Sequence, residues 1–445
     1  MLATWGAGLA IFFDDYANTL IVGSTMRPVT DRLRISREKL AYLVDATAAP
    51  VAAIVPLSTW VGYEISLIGD GLRIAAEQPG IPPATAAALI SASPLSVFIE
   101  TIPYRFYPLL ALYFVFLTSW MKRDFGPMAE AEARAASGAG LHRRGAVLAT
   151  DVSKEELQPI PGTQERWWNA ILPVLTVISV VVWGLYTTGR SAAGPESSLS
   201  MVFGAADPFA TLLWGSLAGC IAAVVLTVSQ RILSIQETIG ALVAGMRAMM
   251  TAVVILILAW SLGSVTEVLQ TAPYLSGILD ERLPMALLPA LVFLAAAAIS
   301  FATGTSWGTM AILLPLVIPL VVSLGGGLDF QVGGPYSILL GAISSVLAGA
   351  IFGDHCSPIS DTTVLSSMAS SCDHVDHVRT QLPYAVLVAL VAITLGDVGT
   401  ALGLPVWVAL ATAAVILYLV LRWKGRIIPE ADSERSSPSL SEELA

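Results

Sequence analysis

Charge is scarce in this chain. Only 13% of its 445 residues are Asp, Glu, Lys or Arg, 55% are hydrophobic and the mean hydropathy is +0.74, which excludes an ordinary soluble domain. Cysteine is nearly absent: Cys220, Cys356 and Cys372 stand apart, so no disulfide framework is built in. No glycine loop that could cradle phosphates occurs, which argues against a pump driven directly by a nucleotide, and no charged leader followed by a cleavage site opens the chain. His355, Cys356, Cys372, His374 and His377 make a poor soft-metal pattern, because they lack paired ligand spacing. The net charge of −10 is spread over termini and loops and says little about substrate.

Apolar stretches near the roughly 20 residues that span a bilayer recur throughout. They run from Leu40 to Trp60, Leu95 to Met121, Trp168 to Thr188, Pro208 to Val228, Leu242 to Leu262, Leu283 to Ala302, Trp307 to Ser323, Tyr336 to Phe352, Leu382 to Leu395 and Pro405 to Leu421. The expected fold is an all-α polytopic membrane protein with about 10–11 transmembrane segments, broken helices and a re-entrant hairpin. Residues 1–121 read as first-repeat transport segments, 122–166 as a cytoplasmic loop, 167–270 as connecting helices, 271–423 as second-repeat transport segments and 424–445 as an acidic disordered tail.

Basic residues cluster. Arg27, Arg32, Arg34, Arg37 and Lys39 form one group, and Lys122, Arg123, Arg134, Arg143, Arg144, Lys154 and Arg166 another, so both loops are expected in the cytoplasm. The stretch Tyr63 to Ser93, with only Arg73 as a basic residue, then falls on the outer face. Arg422, Lys424 and Arg426 put the C-terminal end inside, whereas an inverted repeat would put the turn Asp373 to Arg379 outside. Two full spans after that turn cannot satisfy both, so one of the last two segments reads as a candidate re-entrant stretch.

Two polar clusters interrupt the apolar background, FFDDYANTLIVGS from Phe12 and FGDHCSPISDTTVLSS from Phe352. Asn18 to Ser24 matches Asp361 to Ser367, and Phe12 and Asp14 match Phe352 and Asp354 with three extra residues in the second copy. Lipid tolerates carboxylates and broken backbone only where protein or water surrounds them, so each cluster reads as a helix broken near the bilayer midplane. A third interruption, Phe301 to Thr309, carries Thr303, Thr305 and Ser306 and reads either as a re-entrant hairpin tip or as a tight turn between ordinary helices. Only about a dozen residues precede Phe12, while the second cluster has its hydroxyl-rich partner upstream, so the chain reads as truncated at its N-terminus.

The strings FFDDYANTLIVGSTMRPVTDRLRISREKLAYLVDATAAP, FATGTSWGTMAILLP and FGDHCSPISDTTVLSS resemble the NhaC-type Na+/H+ antiporters of the ion-transporter superfamily. The resemblance is dense from Gly8 to Pro56, recurs from Ile102 to Phe125 and is dense again from Phe301 to Tyr384. It implies an inverted-repeat fold and Na+/H+ exchange across a bacterial inner membrane. The family's members begin well upstream of Met1, in line with a truncated start.

The site chemistry can be argued from the residues. Na+ is a hard cation that takes oxygen ligands. Asp14 and Asn18 share a face if the helix persists, as do Asp354, Ser357 and Asp361. Pro358 and Gly353 make an unbroken second helix doubtful, so opened backbone adds carbonyl ligands. Burial favours the protonated form of a carboxylate, so protons and Na+ compete for the same oxygens. The expected ion site is Asp14, Asn18, Asp354 and Asp361, with Thr19, Ser357, Ser360 and Thr362 as neutral ligands. Asp15 is a second proton carrier or the partner of a cation such as Arg27; His355 is a proton relay or a hydrogen-bonded helix-end histidine; Asp45 lines the cavity or sits at the interface. Arg105 is expected to be satisfied by ion pairing or snorkelling.

No enzymatic activity, cofactor or nucleic-acid partner is expected; the partners are Na+, H+ and the lipid bilayer, with a homodimer left open. Two other readings remain: a Na+- or H+-coupled carrier of a small organic acid or amino acid such as malate or lactate, and an inactive membrane fragment.

Overall fold

The computed structural model describes residues 1–146, 166–194, 206–247, 284–325 and 334–428, with single positions 202, 261, 265, 268 and 269. Part of the apolar stretch from Leu242 to Leu262, and the acidic tail, lie outside these residues. Helices make up nearly all of what is described. In chain order they are α1 (Leu2–Ala10), α2 (Asp15–Arg32), α3 (Arg37–Ile54), α4 (Thr59–Ala76), α5 (Pro83–Ser91), α6 (Pro94–Thr101), α7 (Phe106–Met121), α8 (Gly126–Ala136) and α9 (Trp168–Ala193). Then follow α10 (Pro208–Ser229), α11 (Leu288–Thr303), α12 (Ser306–Leu324), α13 (Pro335–Cys356), α14 (Asp361–Ala369), α15 (His374–Val391) and α16 (Val406–Lys424). One short ladder pairs Arg123–Asp124 with Arg426–Ile427.

Among the described residues, 6 helices are long and apolar enough to cross a bilayer, or up to 8 if each of two bent pairs counts as one span. The protein is a polytopic membrane protein. Its centre is α13, where 78% of the most apolar window is buried, and its rim includes α9, where 11% is buried. α9 packs on α10 through glycines: a Cβ on Gly215 or Gly219 would meet Val181 or Val177 side chains at 2.4 Å. The apolar side chains that this pair leaves exposed, such as Trp183, Leu217 and Ile221, suit a lipid-facing surface.

Several expected segments are divided differently. The stretch Leu40 to Trp60 is not one helix: it breaks at 55–58, and α3 and α4 meet at a bend of 50°. The stretch Tyr63 to Ser93 is no exposed loop, because α4 lies against α12, with Tyr63 donating to the Trp307 carbonyl at 2.6 Å and Gly71 against Ile318. The stretch Leu95 to Met121 is also cut, at Arg105, between α6 and α7. The expected loop 122–166 contains α8, whose Met128, Ala131, Glu132 and Ala135 are buried; residues 147–165 are not described.

The last two segments are both full-length. α15 continues through a π-helical stretch at Ala392–Val398 to form a 28-residue span, His374–Ala401, and α16 returns. The widened turn seats Gly396 against the Phe106 ring, where a Cβ would come within 2.3 Å. Two spans therefore return the chain to the side on which α15 begins. Arg143 pairs with Asp376 at 3.0 Å, Arg37 donates to the Ser370 carbonyl at 2.7 Å, and Arg123 donates to the Gly425 carbonyl at 2.7 Å. The turn after the second cluster thus shares a face with both basic loops and the C-terminal arginines. Of the two placements left open for that turn, these contacts favour the one that puts it with the basic loops.

Not every basic residue there is a loop charge. Lys39 is fully buried, with Nζ 2.6 Å from Asp124 Oδ1 and above the rings of Tyr42 and Tyr384. Beside it, on α8 outside the spans, Glu132 Oε1 accepts from Ser36 N at 2.8 Å and Ser36 Oγ at 2.6 Å. Burial, aided by the nearby Asp124 and opposed by Lys39, pushes the Glu132 carboxyl up to about 7 from an ordinary 4.5. A raised carboxyl stabilises the fold fully below pH 4.5, and that contribution is lost as pH rises through 7. In detergent, Glu132→Gln should flatten the fall in melting temperature across that window; an unchanged slope would show that Glu132 does not generate it.

Candidate functional site

The helix interruptions converge. Thr59, which opens α4, donates from Oγ1 to Asp14 Oδ2 at 3.1 Å and from its amide to the Phe13 carbonyl at 2.8 Å, joining the break at 55–58 to the break between α1 and α2. Tyr16 OH donates to Asp361 Oδ2, joining the latter to the break between α13 and α14. Ser306 Oγ donates to Asp354 Oδ2 at 3.0 Å, and Ser357 Oγ to the Phe301 carbonyl at 2.8 Å, bringing in the turn between α11 and α12. Gly304 makes that turn possible: its φ is +70°, and a Cβ there would lie 2.5 Å from the Ile359 carbonyl. The turn between α11 and α12 is therefore packed against the break between α13 and α14.

Each broken span leaves its own cap. Asp14 is the N-cap of α2, accepting from Ala17 N at 2.8 Å, and Ser360 is the N-cap of α14, accepting from Thr363 N at 3.2 Å. Asp15 and Asp361 both occupy the first helical position, where the helix dipole offsets part of the cost of burying a carboxylate. This register pairs Asp15 with Asp361, not Asn18 with Asp361. It also separates Asp14, which follows its break, from Asp354, which lies in the last turn of α13 and precedes its break. The helices run parallel, since their starts meet at Tyr16 and Asp361 and a Cβ on Gly23 would meet Ala369 at 2.5 Å. Both clusters thus sit in spans of the same direction, and this pair carries no inversion.

Four carboxylates line the convergence, Asp14, Asp15, Asp354 and Asp361, and Asp14, Asp15 and Asp354 are each 9% exposed or less. Asp361 Oδ1 accepts from Thr362 N at 2.8 Å. Asp354 Oδ2 also accepts from Thr362 Oγ1 at 3.0 Å, while its Oδ1 has no hydrogen-bond partner. Neither oxygen of Asp15 accepts a well-formed hydrogen bond; the Trp60 indole, whose N–H is likewise unsatisfied, lies near it. Buried oxygens left open in this way suit a proton or a small hard cation. Arg27 is not the partner of Asp15: twelve residues along α2 separate them, about 18 Å, and Arg27 donates to the Ala369 carbonyl.

The neutral candidates divide. Ser306, Thr362 and Ser360 contact the carboxylates or cap α14. Asn18 Nδ2 caps the end of α1, donating to the carbonyls of Gly8 at 2.7 Å and Ile11 at 2.8 Å; its Oδ1 is open. Thr19 Oγ1 turns back to the Asp15 carbonyl at 2.7 Å, Ser357 serves the hairpin, and Thr305 caps α12. Thr303 is exposed and bonds only its own helix, at the Ile299 carbonyl, so the structure keeps it out of the cluster. His355 Nδ1 lies 2.9 Å from Tyr107 OH, beside α13's end. Asp45 is fully buried, held by Gln381 Nε2 at 2.6 Å, Thr363 Oγ1 at 3.1 Å and Ser366 Oγ at 3.1 Å. Among the described residues, no group of three or more His, Cys, Asp or Glu is arranged to hold a metal ion.

Tyr16, Thr59, Trp60 and Gln381 belong to the site and were not marked by the sequence. The run Pro56-Leu57-Ser58-Thr59 carried the signal of a break but stood at the end of an apparently continuous span. Glu64 was likewise hidden in the presumed outer loop. It is fully buried and pairs with Arg105 at 2.9 Å, and Arg105 also donates to the Ala53 carbonyl at the end of α3.

The sequence pattern that describes the Na+/H+ antiporter family matches residues 82–400, well over half of the chain. The chain belongs to the Na+/H+ antiporter family. This antiporter-family protein is 34% identical over 381 residues to an uncharacterized protein of Haemophilus influenzae (strain ATCC 51907 / DSM 11121 / KW20 / Rd), a match that covers 85% of this chain and 66% of that protein. It is 45% identical over 83 residues to the malate-2H(+)/Na(+)-lactate antiporter of Bacillus subtilis (strain 168), covering 19% of this chain and 15% of that one. It is also 34% identical over 104 residues to an uncharacterized Na(+)/H(+) antiporter of the same Haemophilus strain, covering 22% and 20%. The chain thus spans 66% or less of the length of these relatives. The family is one of transporters, not of enzymes.

Because Gly304 has both a left-handed backbone and the Ile359 carbonyl against it, Gly304→Ala should destabilise the protein by about 1–3 kcal/mol. The melting temperature in detergent should fall; an unchanged value would mean that the hairpin tip is not held against the break.

Proposed function

We propose that this protein exchanges Na+ for H+ across a bacterial cytoplasmic membrane, with both ions competing for Asp15, Asp354 and Asp361. The observation that carries the reading is the open oxygens of Asp15 and Asp354 beside Asp361, at the depth where four helix interruptions meet. Thr362 and Ser306 hydroxyls, Asn18 Oδ1 and Asp14 complete an oxygen-only donor set. Competition needs no separate gate for each ion: the site is neutralised either by protons or by Na+, and the empty, charged form crosses the barrier poorly.

A second reading, coupled movement of an organic acid, is favoured by the short match to a malate/lactate exchanger. Against it, the one fully buried arginine among the described residues, Arg105, is already paired with Glu64 and so is not free to clamp a carboxylate.

Both readings are tested by proton flux in proteoliposomes on adding Na+, K+, malate or lactate. Na+ alone should drive flux in the wild type, and Asp354→Asn and Asp361→Asn should each reduce it to that of empty liposomes while leaving membrane insertion intact. Retained exchange in both variants would sink the site assignment, flux that requires malate or lactate would favour the second reading, and silence towards every solute would point to an inactive fragment.

A further inference from the structure

Two histidines dismissed as metal ligands are joined by one hydroxyl. His374 and His377 sit three apart at the start of α15, on one face. Ser367 Oγ of α14 lies 3.0 Å from His374 Nδ1 and 2.9 Å from His377 Nδ1. His374 is partly exposed, at the basic-loop face, whereas His377 and Ser367 are fully buried. His377 Nε2 is 3.9 Å from Asp45 Oδ2.

The hydrogen count is informative. His374 Nε2 faces the Pro358 carbonyl at 2.6 Å, and His377 Nε2 faces Gln381 Oε1 at 3.1 Å. The Gln381 amide is oriented by its Nε2, which donates to Asp45 Oδ2 and to the His355 carbonyl. Both imidazole Nε2 atoms therefore meet oxygens that can only accept, so each carries hydrogen there, and in neutral rings both Nδ1 atoms are acceptors. Ser367 has one hydroxyl hydrogen, which it donates to the Thr363 carbonyl at 2.8 Å, while its oxygen faces the two Nδ1 acceptors. A proton on one Nδ1 gives that oxygen a donor and lets its own hydrogen turn from the carbonyl to the other ring.

We propose that His374, Ser367 and His377 hold one shared proton and pass it between the cytoplasmic face and Asp45; the direction of use rests on the proton-coupled reading above. His374, turning its exposed ring to water, takes a proton on Nδ1 and returns it to the Ser367 oxygen. Ser367 gives its own hydrogen to His377 Nδ1 and keeps the one from His374, so the hydroxyl is regenerated. His377 then releases its Nε2 hydrogen to Asp45 Oδ2 once the two close to hydrogen-bond distance, leaving a neutral ring with its hydrogen on Nδ1, and a turn of the ring restores the Nε2 hydrogen before the next proton. Thr363 Oγ1 donates to Asp45 Oδ2 at 3.1 Å and lies 3.3 Å from the Asp354 backbone carbonyl, so Asp45, where the relay ends, is one hydroxyl away from the α13–α14 break. The charged groups facing the relay are Asp45 from α3 and, around its entrance, Asp373 and Asp376 with Arg143, and Arg37 and Glu38 near Cys372. His355 takes no part, because its Nδ1 is committed to Tyr107.

The test combines two readouts on wild type, Ser367→Ala and His374→Gln. In 15N-histidine-labelled protein, His374 and His377 should titrate as a coupled pair in the wild type and independently in Ser367→Ala. In proteoliposomes, both variants should slow Na+-driven proton flux at least about tenfold while Na+/Na+ exchange, which moves no proton, stays within about twofold. Independent titration in the wild type, or full proton flux in Ser367→Ala, would overturn the relay. Coupled titration in a wild type that is silent towards Na+ would uphold the shared proton and instead refute the antiport reading.

Discussion

A helix cut inside a bilayer leaves backbone N–H and C=O groups at each cut with neither an intrahelical partner nor water, and each such group costs several kcal/mol. This protein meets that constraint by bringing its cuts together. The breaks at 11–14, 55–58 and 357–360 and the turn at 304–305 are tied to one another through Thr59, Tyr16, Ser306 and Ser357, and these side chains surround the carboxylate cluster. The carboxylates are tolerated for the same reason, since two of them begin helices and the hydroxyls around them are donors.

Convergence requires close helix approach, and small residues supply it. A Cβ on Gly349 or Gly353 would collide with the Phe293 or Ala297 carbonyl at 2.4 Å, so α11 and α13 lie backbone to backbone. Ser300 Oγ adds a bond to the Ala350 carbonyl at 2.7 Å. The hairpin tip is thereby carried to the depth of the α13–α14 break, where Ser306 reaches Asp354.

The face that carries the basic loops works differently, through paired charge. Lys39 with Asp124, Arg134 with Glu38 at 2.8 Å and Arg143 with Asp376 tie α3, α8 and the α14–α15 turn into one layer. Only the Lys39–Asp124 pair is buried on both sides; such a pair contributes little net stability but is costly to break on one side, so it fixes the register of the elements it joins. That register holds His374 and His377 against Ser367, and Gln381 against Asp45.

By itself the sequence determined the membrane class, the two polar clusters, the hydroxyl-rich turn and Asp14, Asp15, Asp354 and Asp361 as carboxylates out of place in an apolar background, because apolar length and misplaced charge are local properties that lipid penalises residue by residue. Tertiary structure alone decided the rest. Helix starts depend on caps, so the register of the two clusters moved by three residues once Asp14 and Ser360 were seen as N-caps. The break at 55–58 was hidden because hydropathy averages over it, and the partners Tyr16, Thr59 and Gln381 were hidden because they reach the site across 345, 45 and 336 positions of chain. The common direction of the two broken spans was equally out of reach: a one-dimensional pattern records that a helix is interrupted, and only packing fixes which way it runs.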